Sequence, residues 1–128
     1  MVQVPQSWRV TRPANGVVAR RGDYRVSVTT FPLQKPYEPG MFDAVAKELD
    51  GVAAKLAAQA GGKVTERVTT TVDGRKIRAY RYTGGPTETR IGFVLDGKRE
   101  YQLLCEAPTG ASDPDGACTL LFDTFTLT

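Results

Sequence analysis

The chain has 128 residues, 41% hydrophobic and 24% charged, with 17 Lys and Arg against 14 Asp and Glu and a formal net charge of +3. That length predicts one domain, and no stretch of about 18 uninterrupted apolar residues offers a membrane-spanning helix. Histidine is absent, which excludes Ser-His-Asp and Cys-His catalysis, imidazole metal ligation and a histidine pH switch.

Residues 1–20 read as irregular, punctuated by Pro5, Pro13 and Asn15-Gly16. Trp8, between Ser7 and Arg9, is placed in a short edge strand and expected to cap the core. The opening Met1-Val2-Gln3-Val4-Pro5 carries neither the basic nor the apolar region of a signal peptide. Residues 24–31 alternate, with Tyr24, Val26 and Val28 on one side and Arg25, Ser27 and Thr29 on the other. This pattern predicts a half-buried strand, followed by a loop through Pro32, Pro36, Pro39 and Gly40.

The spacing of Phe42, Val45, Leu49, Val52 and Leu56 predicts one long helix over 41–60 with a single apolar stripe. Its many alanines favour helix and permit close approach to a sheet, and Gly61-Gly62 supplies the stop. Gly51, mid-helix, costs about 1 kcal/mol. Tight packing or a slight bend is the expected reason for it.

Four strands are predicted next. Residues 63–73 set Val64, Val68 and Val72 against Thr65, Arg67, Thr69 and Thr71, and Asp73-Gly74 signals a hairpin. Residues 75–83 set Ile77 and Ala79 against Lys76, Arg78, Tyr80 and Tyr82, ending at Gly84-Gly85-Pro86. Residues 88–96 align Ile91, Phe93 and Leu95, and Asp96-Gly97 signals a second hairpin. Residues 98–106 align Tyr101, Leu103 and Cys105. A short helix is expected over 114–123, with Asp113 as its N-cap, Pro114 at its first position and Leu120, Leu121 and Phe122 on its apolar side. Phe125 and Leu127 close the chain as a short strand or extended tail. The sum is an α+β domain: an antiparallel meander with one long helix on one face and a short C-terminal helix.

Cys105 and Cys118 fit no zinc spacing. The turn-rich segment between them brings its two ends together, and a disulfide there would contribute roughly 3 kcal/mol and imply an oxidising compartment. The competing reading is two buried thiols in a cytosolic protein. Asp113-Pro114-Asp115-Gly116 lacks the full calcium-loop pattern and reads as a cap and turn. Gly61-Gly62-Lys63 and Gly84-Gly85-Pro86-Thr87 lack a phosphate-loop frame and read as turns. The carboxylates of Glu38, Asp43, Glu48, Asp50, Glu88, Asp96, Glu100 and Glu106 form no convergent pair by any periodicity, so catalysis is not expected and no cofactor is predicted. The surface singled out is the second face of the meander, where Arg67, Lys76, Arg78, Tyr80, Tyr82 and Arg90 are expected to share one side. Arg with Tyr is the composition of protein hot spots and anion-reading sites. It predicts a protein or small anionic ligand as partner, bound through Arg67, Arg78, Tyr80, Tyr82 and Arg90. The alternative is ordinary cross-strand pairing, or a helix lying over these residues. No nucleic acid is expected, because the basic residues form no dense run and the aromatic ladder of an RNA-binding sheet is missing.

The succession of Pro5-Gln6-Ser7-Trp8, Arg25-Val26-Ser27-Val28, the long helix, Gly97-Lys98-Arg99-Glu100-Tyr101-Gln102-Leu103 and Leu121-Phe122-Asp123-Thr124-Phe125-Thr126-Leu127 resembles the PsbP-like family. Actinobacterial lipoproteins of the LpqN type share its fold. The resemblance implies an α/β/α sandwich and a binding, assembly or chaperone-like module without a shared catalytic motif. Residues 1–20 do not match the docking segment of the photosystem members beyond Trp8, which argues against a photosystem role. The cysteine pair points to the exported lipoprotein branch. That branch implies a secreted or envelope-anchored protein, touching membrane only through a lipidated cysteine upstream of residue 1. A cytosolic chaperone or adaptor with free thiols is the alternative.

Overall fold

The computed structural model describes residues 2–127, leaving Met1 and Thr128 of the terminal motifs outside the description. The strands are β1 (Arg9–Thr11), β2 (Gly16–Arg21), β3 (Tyr24–Tyr37), β4 (Lys63–Val72), β5 (Arg75–Gly84) and β6 (Thr87–Pro108). The helices are α1 (Phe42–Gln59) and α2 (Ala117–Thr124), each preceded by a single 3-10 turn. The strands form one antiparallel sheet in the order β1-β2-β3-β6-β5-β4. The predicted α+β architecture, with its long helix and short C-terminal helix, is the one observed.

β6 is a continuous run that doubles back on itself. An extended strand of that length would reach about 70 Å. Yet its two ends meet, where the Thr109 N–H donates to the Pro86 carbonyl at 2.8 Å. The reversal falls at Asp96-Gly97, where Gly97 has a φ of 56°. Its first arm pairs with β5, as in Tyr80 opposite Ile91. Its second arm pairs with β3, as in Val28 opposite Leu103.

The sheet has a core on each face. On one side Leu49, Ala53 and Ala57 of α1 pack onto Tyr80, Ile91 and Phe93. On the other, Leu121, Phe122 and Phe125 pack against Ile77, Val94 and Leu103, with Trp8 at the margin. The helix reaches the sheet closely because alanines line its inner face. Its C-terminus is a Schellman stop: Gly62 N–H donates to the Ala57 carbonyl at 2.9 Å and Gly61 N–H to Ala58 at 3.0 Å, with Gly61 at a φ of 83°.

Several expectations are corrected. The first 20 residues are not irregular, since β1 and β2 form a hairpin there. Trp8 lies just ahead of β1 rather than in it, and it is buried and stacked on Tyr24. β3 runs on through the proline segment to Tyr37, its pairing with β6 breaking between Pro32 and Tyr37. Two proline nitrogens there have no hydrogen to donate, so a continuous ladder is impossible. In α1, Val52 is 41% exposed, and the buried face is Ala46, Leu49, Ala53 and Ala57. Gly51 has open space around it rather than a tight neighbour. In β4 a register shift between Val64 and Glu66 breaks the alternation. Val64 therefore joins the core under α1 while Val72 joins the opposite one, and Val68 is exposed. The single predicted helix over 114–123 is a 3-10 turn at Pro114–Gly116 followed by α2. Positive φ at Asp115 and Gly116 separates the two.

Candidate functional site

The Arg/Tyr face is not an open surface, because α1 lies across it. Tyr80 is 2% and Tyr82 8% exposed, both within the core beneath that helix. At the border, Asp50 of α1 draws the polar groups together. Tyr80 Oη donates to Asp50 Oδ1 at 2.5 Å, Arg78 Nε and Nη2 donate to the same carboxylate at 3.2 and 3.3 Å, and Arg67 Nη1 at 3.4 Å. Arg78 Nη1 also donates to Thr69 Oγ1 at 3.0 Å. Partial burial works against ionisation of Asp50. The Tyr80 and Arg78 hydrogen bonds, with the charges of Arg78 and Arg67, outweigh it and hold the carboxyl below its ordinary range. Burial and the adjacent Asp50 carboxylate push the Tyr80 phenol strongly upward, and the hydrogen bond to Asp50 pushes the Arg78 guanidinium up as well. The protein's own carboxylate thus occupies the place an anionic ligand would take. The cluster fastens α1 to β4 and β5. Lys76, from the same group, lies over the Phe42 ring at 4.5 Å. Arg67, with its side chain 60% exposed, and Lys76 are the members of the group that remain open to solvent.

Arg90 is on the other face of the sheet, contrary to expectation. Directly opposed residues share a face. The register sets Tyr80 against Ile91, and therefore Arg81 against Arg90. Ile91 and Phe93 point to α1, so Arg90 points to α2. There its guanidinium lies 4.2 Å from the centre of the Phe122 ring.

Arg90 lines a cleft of about 290 Å³ between the sheet and the segment leading into α2. Cys105 and Cys118, bonded to each other with Cα atoms 5.7 Å apart, form part of its wall. This span is ordinary for a disulfide. It ties α2 to β6, which holds the cleft in shape. Asp113 does not cap the 3-10 turn it precedes. Its two oxygens accept the Cys118 and Thr119 N–H groups of α2 at 2.7 and 2.9 Å. Burial opposes its ionisation, but those bonds and the charge of Arg90 keep its carboxyl below the usual range. Asp115, its neighbour in the acidic tetrapeptide, instead accepts Trp8 Nε1 at 2.8 Å and pairs with Arg21 at 2.9 Å. The two carboxylates diverge to separate partners, and the N-terminal hairpin is thereby tied to the approach to α2.

Two further arginines reach the cleft. Arg25 pairs with Glu106, and Arg81 with Glu88 at 3.5 Å and Glu66 at 3.1 Å. The cleft draws on β3, β5, β6 and the loop before α2. No single run of sequence contains it: Arg25 stands in an alternating strand like any other residue, and nothing in the sequence singles out Arg81. The one signal in the sequence that could have found it is the cysteine pair, since a bond between them brings residues 109–117 back toward β6.

No family model and no curated protein matches the sequence. Among solved structures the fold is similar to that of LpqN of Mycobacterium tuberculosis, described as involved in cell envelope biogenesis. The TM-score is 0.57 at 12% identity, over 96% of this chain and 79% of that one. At that identity the likeness establishes a related fold.

Proposed function

We propose that the chain is a non-enzymatic binding or assembly module of the cell envelope, the mature part of an exported lipoprotein, and that its working surface is the cleft beside α2. The observation that carries this reading is the disulfide between Cys105 and Cys118 in the cleft wall. Such bonds persist in oxidising compartments and are rare in the cytosol. The fold shared with LpqN, described as an envelope-biogenesis protein, favours the same compartment. The acidic side chains of the cleft favour binding over catalysis. Glu106, Glu88 and Asp113 are each engaged with an arginine or with backbone N–H groups. Each is thus committed to a partner within the protein, whereas general acid catalysis needs one free to meet substrate.

The test is site-directed photo-crosslinking in cells. One probe replaces Ser112, exposed on the cleft rim, and the other replaces Lys47, exposed on the outside of α1. The proposal expects cross-links from Ser112 and not from Lys47, on protein that fractionates with the envelope and carries no free thiol. Equal cross-linking from both positions would contradict the cleft. Reduced protein in the cytoplasmic fraction would instead support the adaptor alternative.

A further inference from the structure

Three arginines and three carboxylates line the cleft, and Arg90 is the arginine that makes no ion pair among them. Arg25 is matched by Glu106 and Arg81 by Glu88. Asp113 has both oxygens on the N–H groups of α2. Arg90 has the Phe122 ring at 4.2 Å and the Cys118 sulfur 4.0 Å from Nη1. Among the described residues no carboxylate oxygen lies within salt-bridge distance of it. A half-buried guanidinium that gives up water without gaining an anion in contact is unfavourably placed. Burial first, and the neighbouring charge of Arg81 second, press its proton affinity down against the longer-range pull of Glu66, Asp113 and Asp123.

From this geometry we infer that the cleft is a binding site for a carboxylate carried on a small apolar body, with Arg90 as its anchor; the inference deepens the binding reading given above. The guanidinium presents a planar fork of donors that matches a carboxylate. The Phe122 ring at 4.2 Å packs against the guanidinium carbon and limits its movement. The remaining lining suits the body. Val26, Ala117 and the Cys105–Cys118 bond make an apolar floor, and Trp8 stands at the margin. The charges favour a monoanion over a dianion. Glu88, Glu106 and Asp113 also line the cleft, so each further negative charge on a ligand is repelled by them, and a phosphate dianion is penalised more than a single carboxylate.

Benzoate is the probe, titrated into the intact oxidised protein while backbone amide shifts are recorded. Benzamide, its neutral isostere, and inorganic phosphate are the comparison arms. The expected result is saturable benzoate binding with shifts confined to residues 111–119 and the neighbourhood of Arg90. Benzamide and phosphate should bind at least tenfold more weakly, a difference of about 1.4 kcal/mol. Arg90→Gln should weaken benzoate by a similar factor, and Arg90→Lys, which keeps the charge without the fork, by less. Benzamide or phosphate binding as well as benzoate would overturn the inference. So would benzoate shifts that map elsewhere, or benzoate binding unchanged in Arg90→Gln. If Arg90→Gln does not fold, the three-ligand comparison on the wild-type chain still decides. Failure of benzoate with Ser112-selective cross-linking intact would remove the carboxylate assignment alone. Benzoate binding without selective cross-linking would remove the envelope-partner reading alone.

Discussion

Asp50 shows how a residue read as a solvated helix position becomes structural. On the sequence it is one of several scattered carboxylates. In the fold it accepts hydrogen bonds from Tyr80, Arg78 and Arg67, and its carboxyl releases a proton more readily than in the unfolded chain. Between the folded and unfolded pKa values the unfolded chain therefore binds the extra proton. Stability is lost as the pH falls below the ordinary carboxylate value of about 4. Urea unfolding at about pH 6 and about pH 3 should show a drop in midpoint for the wild type. Asp50→Asn should shrink that drop without abolishing it, because Asp113 is shifted the same way. An unchanged drop would remove Asp50 from the account. Gly51, its neighbour, presents the opposite case. A Cβ there meets nothing within 4 Å, and the residue sits inside α1. Gly51→Ala should stabilise the protein by about 1 kcal/mol, seen as a raised melting temperature.

At the scale of elements, legibility followed local geometry. α1 and its Gly61-Gly62 stop were readable because helix periodicity and the αL stop depend on a few adjacent residues. The turns at Asp73-Gly74 and Asp96-Gly97 were readable for the same reason. Which helix face is buried was not, since the choice between Val52 and Ala46 depends on how near the sheet lies. Close approach selects alanine over the larger residue. The exchange of faces in β4 is set by one register shift after Val64, which periodicity alone does not register. α2 is a short element of eight residues, and isolated helices of that length are marginal. Its docking rests on Phe122 and Leu121 in the core and on the bond to Cys105. Cys105→Ser with Cys118→Ser should cost roughly 3 kcal/mol. Hydrogen exchange should speed up first over residues 109–124, ahead of α1. Loss of protection spread evenly over the whole chain would show that the bond does not act through α2.

At the scale of the whole molecule, the sheet is covered on both faces, and the two covers do different things. α1 closes its side with Asp50 placed among the arginines. α2 covers its side only in part, leaving Arg90 above Phe122 with room beside it. The sequence reading placed Arg90 with Arg67, Arg78, Tyr80 and Tyr82 because strand parity was carried across β5 and β6 without their register. The pairing of Arg81 with Arg90 supplies what was missing, and with it the site moves from one face to the other. The three-layer order itself was visible in the order of elements and in the resemblance. The cleft was not, because its walls come from segments far apart in the chain. The most direct test of the account is the cross-link yield from the Ser112 probe in Arg67→Gln and Arg90→Gln backgrounds, corrected for the folded fraction of each. The account predicts an unchanged yield with Arg67→Gln and a several-fold lower one with Arg90→Gln. A yield that falls with Arg67→Gln and holds with Arg90→Gln would return the working surface to the α1 side and contradict it.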